Sequence, residues 1–246
     1  RHKTLRNYIK AKFKLLKNQS KGNSAFVNNN DFLIKKELRS NRFLCKIIRV
    51  NTKKISTYLK NIKNEYFYTK TNKENLSFVI EISKKFKLKN LLILKTIQNF
   101  HGLKYRQQII VKRKYLTIIN DSKSTSFSSS ISLLKTKTNI YWLLGGIYKK
   151  GDKFNLQKKY FGNIKAFIYG KNRSFFNKKL KGKIVCKNFD NLQNALKNVL
   201  MIIKKEETLH KTILFSPCAA SFDSFKNFED RGFYFNKLIK KYLHGK

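Results

Sequence analysis

Apolar residues recur at near-helical spacing from Thr4 to about Lys17, at Leu5, Tyr8, Ile9, Phe13, Leu15 and Leu16, with lysines between them. That spacing predicts an amphipathic helix. Two short apolar runs follow, "SAFVN" and "FLCKIIRV", and these predict strands. Two more helical patterns span roughly Asn72 to Phe86 and Asn90 to Phe100, and His101-Gly102 closes the second. Gly102 is therefore the expected boundary between an N-terminal part, 1–101, and a C-terminal part, 102–246.

Past Gly102 the rhythm changes to apolar runs, each followed by a loop and a helix-like segment. "YLTIIN" precedes "DSKSTSFSSSISLLK", "IYWLLGG" precedes "IYKKGDKFNLQKKY", and "IKAFIYG" precedes "KNRSFFNKKL". "KIVCKN" then precedes "FDNLQNALKNVLMIIKK", and "KTILFSP" precedes "CAASFDSFKNFEDRG". Alternating β and α units predict an α/β fold with a doubly wound, mostly parallel sheet. Ligands of such sheets bind at the carboxyl ends of the strands. The small polar clusters "NDSKST", "GGIYKK" and "SPCAAS" all fall at those ends and should share one rim. In the last of them Pro217 ends the strand, Ser221 is a candidate helix N-cap, and Asp223 is expected in the first helical turn, where the macrodipole favours a carboxylate.

Composition adds little to this picture. The chain has 246 residues, of which 41% are hydrophobic, enough for one large domain or two small ones. A formal net charge of +43 invites a nucleic-acid reading. The lysines are spread over every segment and come with abundant Asn, Ile, Phe and Tyr, the signature of a genome poor in G and C, so no nucleic-acid partner is expected. Cys45, Cys186 and Cys218 are widely spaced and form no CxxC or Cys/His pattern, which argues against a disulfide framework or a zinc site and fits a reducing cytoplasm. No apolar run approaches the ~18 residues of a membrane span. The start "RHKTLRNYIKAK" enters a helix pattern directly, as a fragment would.

Candidate chemistry concentrates in the second half. Seven serines fall between Ser122 and Ser132, which by composition could form a linker. Their place at a strand-to-helix junction, with Asp121, Lys123 and Thr125 at alternate positions, equally suits three polar side chains aimed at one ligand. The glycines of "LLGG" permit close backbone approach but also make ordinary turns. No Gly-Lys pair belongs to a phosphate-cradling GxxxxGK[ST] loop: Gly170-Lys171 is followed by Asn172, Gly182-Lys183 by Ile184, and Gly245-Lys246 ends the sequence. His2, His101, His210 and His244 stand beside no nucleophile motif.

Taken in order, these blocks resemble the Mur ligase family, and within it the members that add D-glutamate. "SPCAASFDSFKNFEDRG", Ser216 to Gly232, is similar to the family's SPACASxDxFxxFxxRG block nearly throughout. "FHGLKYR", "INDSKST" and "LLGG" resemble its FxGLxHR, NDSKATN and LLGG blocks. Upstream, "TNKENLSFVIEISKKFKL" resembles the HNxxN segment, and "RHKTLRNYIKAKFKLLKNQ" the DRHxxxxxYxxAKxxIxxNQ helix. The resemblance covers essentially the whole chain. It implies that 1–101 is the tail of a central α/β ATPase domain and that 102–246 is a C-terminal Rossmann-like domain, the nucleotide-holding domain and P-loop of the family having no counterpart here.

The activity implied is ATP- and Mg²⁺-dependent joining of D-glutamate to UDP-N-acetylmuramoyl-L-alanine for peptidoglycan, by a cytoplasmic monomer with no nucleic-acid or membrane partner. By resemblance Lys12 is the lysine whose carbamate ligates Mg²⁺, and Asn72 and Asn75 lie near adenine, although the family's preceding His is Thr71 here. Arg106 and Asp121 match residues at the ATP phosphate and ribose. Lys123 matches a residue at the reacting centre, and Thr125, Lys149, Ser221, Phe222 and Phe228 match those around D-glutamate. One extra residue leaves Lys150 as an alternative to Lys149, and the asparagine of NDSKATN is Ser126. A different amino-acid-adding or folate-type ligase, a decayed remnant and a basic RNA-binding protein are the rival readings.

Overall fold

The computed structural model describes residues 4–53, 55, 62–205 and 209–244, and it divides into two compact units, Arg1–Phe100 and His101–Lys246. His2 lies outside the described residues.

The first unit opens with helix α1 (Leu5–Lys17), whose start is fixed by the Thr4 hydroxyl accepting from Asn7 N at 3.2 Å. Only Phe13 of this helix is buried. Strands β1 (Ser24–Asn28) and β2 (Lys46–Val50) pair in parallel from Ser24 opposite Lys46 to Asn28 opposite Val50. Parallel strands need a crossover. Helix α2 (Phe32–Ser40), capped by Asp31 Oδ1 on Ile34 N at 3.0 Å, supplies it. The periodicity did not predict α2, because none of its residues is buried and its apolar stripe is short. A 3-10 turn (Glu65–Tyr68) leads to α3 (Lys70–Lys85) and α4 (Asn90–Gln98), whose inner faces pack Leu76, Ile80, Ile93 and Ile97 against Ile55, Ile62 and Phe67. Asn64 Nδ2 donates to the carbonyls of Ile97 and Phe100, both at 2.8 Å, satisfying backbone acceptors that the end of α4 leaves open.

The second unit is a six-stranded sheet of order β3-β4-β8-β5-β6-β7. Its strands are β3 (Gln108–Arg113), β4 (Leu116–Asn120), β5 (Ile140–Gly145), β6 (Ile164–Tyr169), β7 (Val185–Phe189) and β8 (Lys211–Phe215). All neighbours run parallel except β3, an antiparallel edge strand on β4. Helices α5 (Phe127–Thr136) and α6 (Arg173–Leu180) cover one face, packing Phe127, Leu134, Phe176 and Leu180 on Trp142, Leu144 and Leu214. Helices α7 (Leu192–Lys204) and α8 (Phe228–His244) cover the other, with Leu196, Val199 and Phe235 on Tyr141, Phe167 and Phe215. A sheet covered on both faces needs strands that are apolar throughout. Accordingly, every residue of β5 and β8 is buried. The doubly wound α/β fold expected from the sequence is thus observed.

One strand was not read from the sequence, and two local expectations fail. "QIIVKR" forms β3 although its half-exposed pattern carries no clean alternation. "IYKKGDKFNLQKKY" is no α-helix: Gly151 (φ +80°) interrupts it, and only a 3-10 turn (Lys158–Asn163) forms at its end. Ser221 does not cap a helix, and Asp223 is not in a first helical turn. The Ser221 carbonyl accepts from Ser224 N and Phe225 N in a tight turn, so α8 starts only at Phe228, with Asn227 Oδ1 accepting from Asp230 N at 2.7 Å and Glu229 and Asp230 in its first turn.

Candidate functional site

The carboxyl ends of β4, β8, β5 and β6 lie side by side, and each continues into a loop of small or polar residues. After β4, Asp121 is buried at 4% exposure, while Lys123 and Thr125 are exposed. At the end of β5, Gly145 and Gly146 lie so close to neighbouring backbone that a Cβ would strike the Tyr169 carbonyl at the first position and the Ala220 carbonyl at the second. Gly146 also has φ +124°, so both glycines of "LLGG" are dictated by backbone geometry. Lys149, exposed, follows in the next turn.

These loops are tied to one another. Ile147 N donates to Ala220 O at 3.0 Å and Ala220 N to Ile147 O at 2.9 Å, which joins the loop bearing Lys149 to the loop bearing Ser221. Lys123 N donates to Tyr105 O at 3.0 Å, and Gln107 N to Asp121 Oδ1 at 3.0 Å, which joins the "GLKYRQ" turn to the Asp121 loop. That turn is left-handed at Tyr105 and Gln107, and Gly232 leaves the space its tyrosine ring fills. Lys123 Nζ sits 3.7 Å from the centre of the Phe228 ring, a cation–π contact that parks the ammonium over the start of α8. Phe222 is 71% exposed and stands free of the core.

Asp121 is the electrostatic centre of the rim. Loss of solvent on burial pushes its carboxyl up to about 7, against the hydrogen bonds from Ser216 Oγ (2.8 Å) and Gln107 N and the positive charges of Arg106 and Arg231. Ser216 bonds onward to Ser130, which meets Ser124 at 2.9 Å and Cys218 Sγ at 2.9 Å. The serine cluster is therefore not a linker. Two of its members make this buried chain of hydroxyls, and Ser126 and Ser129 cap α5 together with Asp152, whose Oδ2 accepts from Phe127 N at 2.7 Å. Burial raises the Cys218 thiol above its ordinary range and keeps it protonated.

Arg231 was not singled out by sequence reasoning. One of 56 basic residues, it is 1% exposed and buried beneath the loops, donating from Nε to Ser122 Oγ (3.1 Å) and from Nη2 to the carbonyls of Ser122 (2.7 Å) and Ala219 (3.0 Å). The only sequence signal for it is its place in "FEDRG".

The remaining candidates belong to the first unit. Lys12 is exposed on α1, its Nζ 5.5 Å from the Tyr8 ring centre. Asn72 is buried at 2% exposure and donates from Nδ2 to Tyr66 O at 2.6 Å, so its amide is committed to the fold; Asn75, one turn on, is exposed. Among the described residues no group of three His, Cys, Asp or Glu could hold a metal ion. In the second unit the guanidinium of Arg106 is exposed and lies within electrostatic reach of Asp121. Among the described residues no helix is long and apolar enough to cross a membrane.

Solved structures share this architecture. UDP-N-acetylmuramate-alanine ligase MurC from Thermotoga maritima matches with a TM-score of 0.52 at 15% identity, over 72% of this chain and 39% of that one. MurF from Acinetobacter baumannii matches with 0.51 at 17% identity, over 70% and 38%. These likenesses show the fold, one shared with those Mur ligases. No family model matches the chain. The UDP-N-acetylmuramoylalanine–D-glutamate ligase of Rickettsia felis is 31% identical over 265 residues, covering 98% of this chain and 58% of the relative. That of Rickettsia prowazekii is 37% identical over 172 residues, covering 70% and 38%. The chain belongs to the Mur ligase family, and its curated relatives carry the name of the D-glutamate-adding ligase. It spans little more than half the length of those relatives at most.

Proposed function

We propose that this chain is the amino-acid-accepting part of a ligase that joins D-glutamate to UDP-N-acetylmuramoyl-L-alanine, with 1–101 as the tail of the ATPase domain and 102–246 as the C-terminal domain. The observation that carries the reading is the joining of the Lys123, Lys149 and Ser221 loops on one rim, in a chain whose relatives are named for that reaction. D-glutamate brings two carboxylates and an amine. Lysines and hydroxyls carried by loops of one rim, with Lys123, Thr125 and Lys149 exposed and Ser221 buried at 3% exposure, can hold the carboxylates and leave the amine free to react. Lys149, Thr125 and Ser221 are assigned to the carboxylates, Phe222 and Phe228 to the walls, and Lys123 to the reacting centre.

In the reaction so proposed, a carboxylate oxygen of the muramoyl substrate attacks the γ-phosphorus of ATP and ADP leaves. The D-glutamate amine then attacks the acyl carbon, phosphate departs, and the amine loses a proton as the amide forms. Lys123 offsets negative charge at that centre, a role suited to a lysine that a ring holds without neutralising it. Arg106 is assigned to phosphate. None of the Gly-Lys pairs has the sequence of a phosphate cradle, so the N–H groups that grip the β and γ phosphates are assigned to residues outside these 246.

The test uses the complete protein that contains this chain, supplied with ATP, UDP-N-acetylmuramoyl-L-alanine and either D-glutamate, L-glutamate or a diamino acid. Product with D-glutamate alone, and a hydroxamate when hydroxylamine replaces the amino acid, are expected. Turnover of another amino acid in preference to D-glutamate would overturn the reading.

A further inference from the structure

We propose that Arg231 is the positioning residue of the rim, the group that holds the loops bearing Lys123, Lys149 and Ser221 in fixed relation. What the rim does rests on the reading above; how the rim is built does not.

The guanidinium rises from the first turn of α8 into the space beneath the strand ends. Its Nε and Nη2 take three acceptors from two loops that are far apart in sequence: the Ser122 hydroxyl and carbonyl after β4, and the Ala219 carbonyl after β8. Ser122 adjoins Lys123, and its hydroxyl donates onward to Phe228 O at 2.8 Å, beneath the ring on which Lys123 rests. Ala219 lies two residues before Ser221 and one before Ala220, whose amide and carbonyl bridge to Ile147. The remaining nitrogen, Nη1, is buried, with the Tyr169 hydroxyl at the end of β6 as the polar group facing the guanidinium, and lies against Gly146, where a Cβ would stand 3.2 Å from it. One side chain therefore meets the ends of β4, β8 and β5 at once.

A purely structural role is the bland alternative, and two features argue against it. Helix α8 is already anchored by Phe235, Leu238 and Ile239 in the apolar core and by Asn120 Nδ2, which donates to Gly232 O (2.9 Å) and Asn236 Oδ1 (2.7 Å). A buried charge is also a poor means of adding stability, because a well-packed apolar residue of similar volume generally does as well. What an apolar residue cannot do is hold two carbonyls and a hydroxyl in a planar fork. Since Nη1 is shut off from solvent, Arg231 does not touch substrate; it acts through Ser122 and Ala219.

Replacement by lysine keeps the charge and loses the fork. In Arg231→Lys, amide hydrogen exchange at Lys123, Ser124, Ile147 and Ala220 should accelerate about tenfold or more, while amides of α7 such as Leu196 and Val199 keep their protection. Ser122→Ala, which removes one of the three acceptors and leaves the guanidinium itself in place, should accelerate the same amides by roughly threefold. In the complete ligase Arg231→Lys should raise KM for D-glutamate about tenfold and leave KM for ATP unchanged. Unchanged exchange at the four rim amides, or a loss of protection spread evenly through the unit, would overturn the proposal. If the wild-type ligase does not use D-glutamate, the functional reading falls, and the exchange pattern still decides whether Arg231 holds the rim.

Discussion

The two units carry the same lysine-rich composition and differ in what surrounds their candidate residues. In the second unit a sheet of six strands is covered on both faces, and Asp121, Lys123 and Ser221 grow from loops tied to each other by named hydrogen bonds. In the first unit the sheet has two strands, Lys12 projects from a helix with one buried residue, and the amide of Asn72 is used within the fold. A polar constellation is precise only where a closed core and paired backbone hold its loops. The second unit meets that condition on the chain's own residues, and Lys12 and Asn75 do not.

The largest effect should come from the core itself. Trp142 is fully buried between Phe127 and Phe154, with Nε1 donating to Ser216 O at 2.8 Å, so Trp142→Ala should cost the second unit about 3–5 kcal/mol in urea unfolding. Leu15→Ala in the first unit should stay within about 0.5 kcal/mol. Equal losses from the two would erase the contrast.

Next is a pH dependence at Asp121. Its carboxyl is raised on folding from 3.8 to about 7, so the folded state favours the protonated form; the associated stability is complete below pH 3.8 and is lost as pH rises through about 7. Asp121→Asn has no such charge to bury. The unfolding free energy of wild type relative to this variant should therefore fall by up to about 4 kcal/mol across that window and be flat above it. A pH-independent difference would show that the carboxylate is better solvated than its burial implies.

Smaller effects sharpen the assignment of the rim. In the complete ligase Lys149→Ala or Ser221→Ala should raise KM for D-glutamate by about tenfold, the equivalent of one charge-assisted hydrogen bond, with KM for ATP unchanged. Lys150→Ala run beside them distinguishes the two neighbouring lysines. Asn227→Ala, which removes the cap of α8, should cost about 1 kcal/mol in stability with no selective change in either KM.

Much of this was legible in the sequence for a physical reason. Strands buried on both faces must be apolar throughout, so "IYWLLG" and "KTILF" announce themselves, and the loops after them are the places where small residues gather. Where burial is partial the signal fades. β3 is half-exposed and α2 buries nothing, and neither declared itself. Ser221 looked like a cap because Ser-x-Asp commonly starts a helix, yet the chain makes one more tight turn before Asn227 takes that role. Arg231 was hidden among the many other arginines and lysines, because one-dimensional pattern does not record burial at the start of a helix.

The claim that matters most is that the strand-end rim of the second unit accepts D-glutamate, and it can be tested on the chain itself by titrating ¹⁵N-labelled protein with D-glutamate and separately with L-glutamate. The expected result is saturable shifts of the amides of Lys123, Thr125, Lys149 and Ser221 with the D enantiomer, weaker or absent with the L enantiomer. Shifts spread over exposed lysines of both units with either enantiomer, or no response at those four amides, would contradict it.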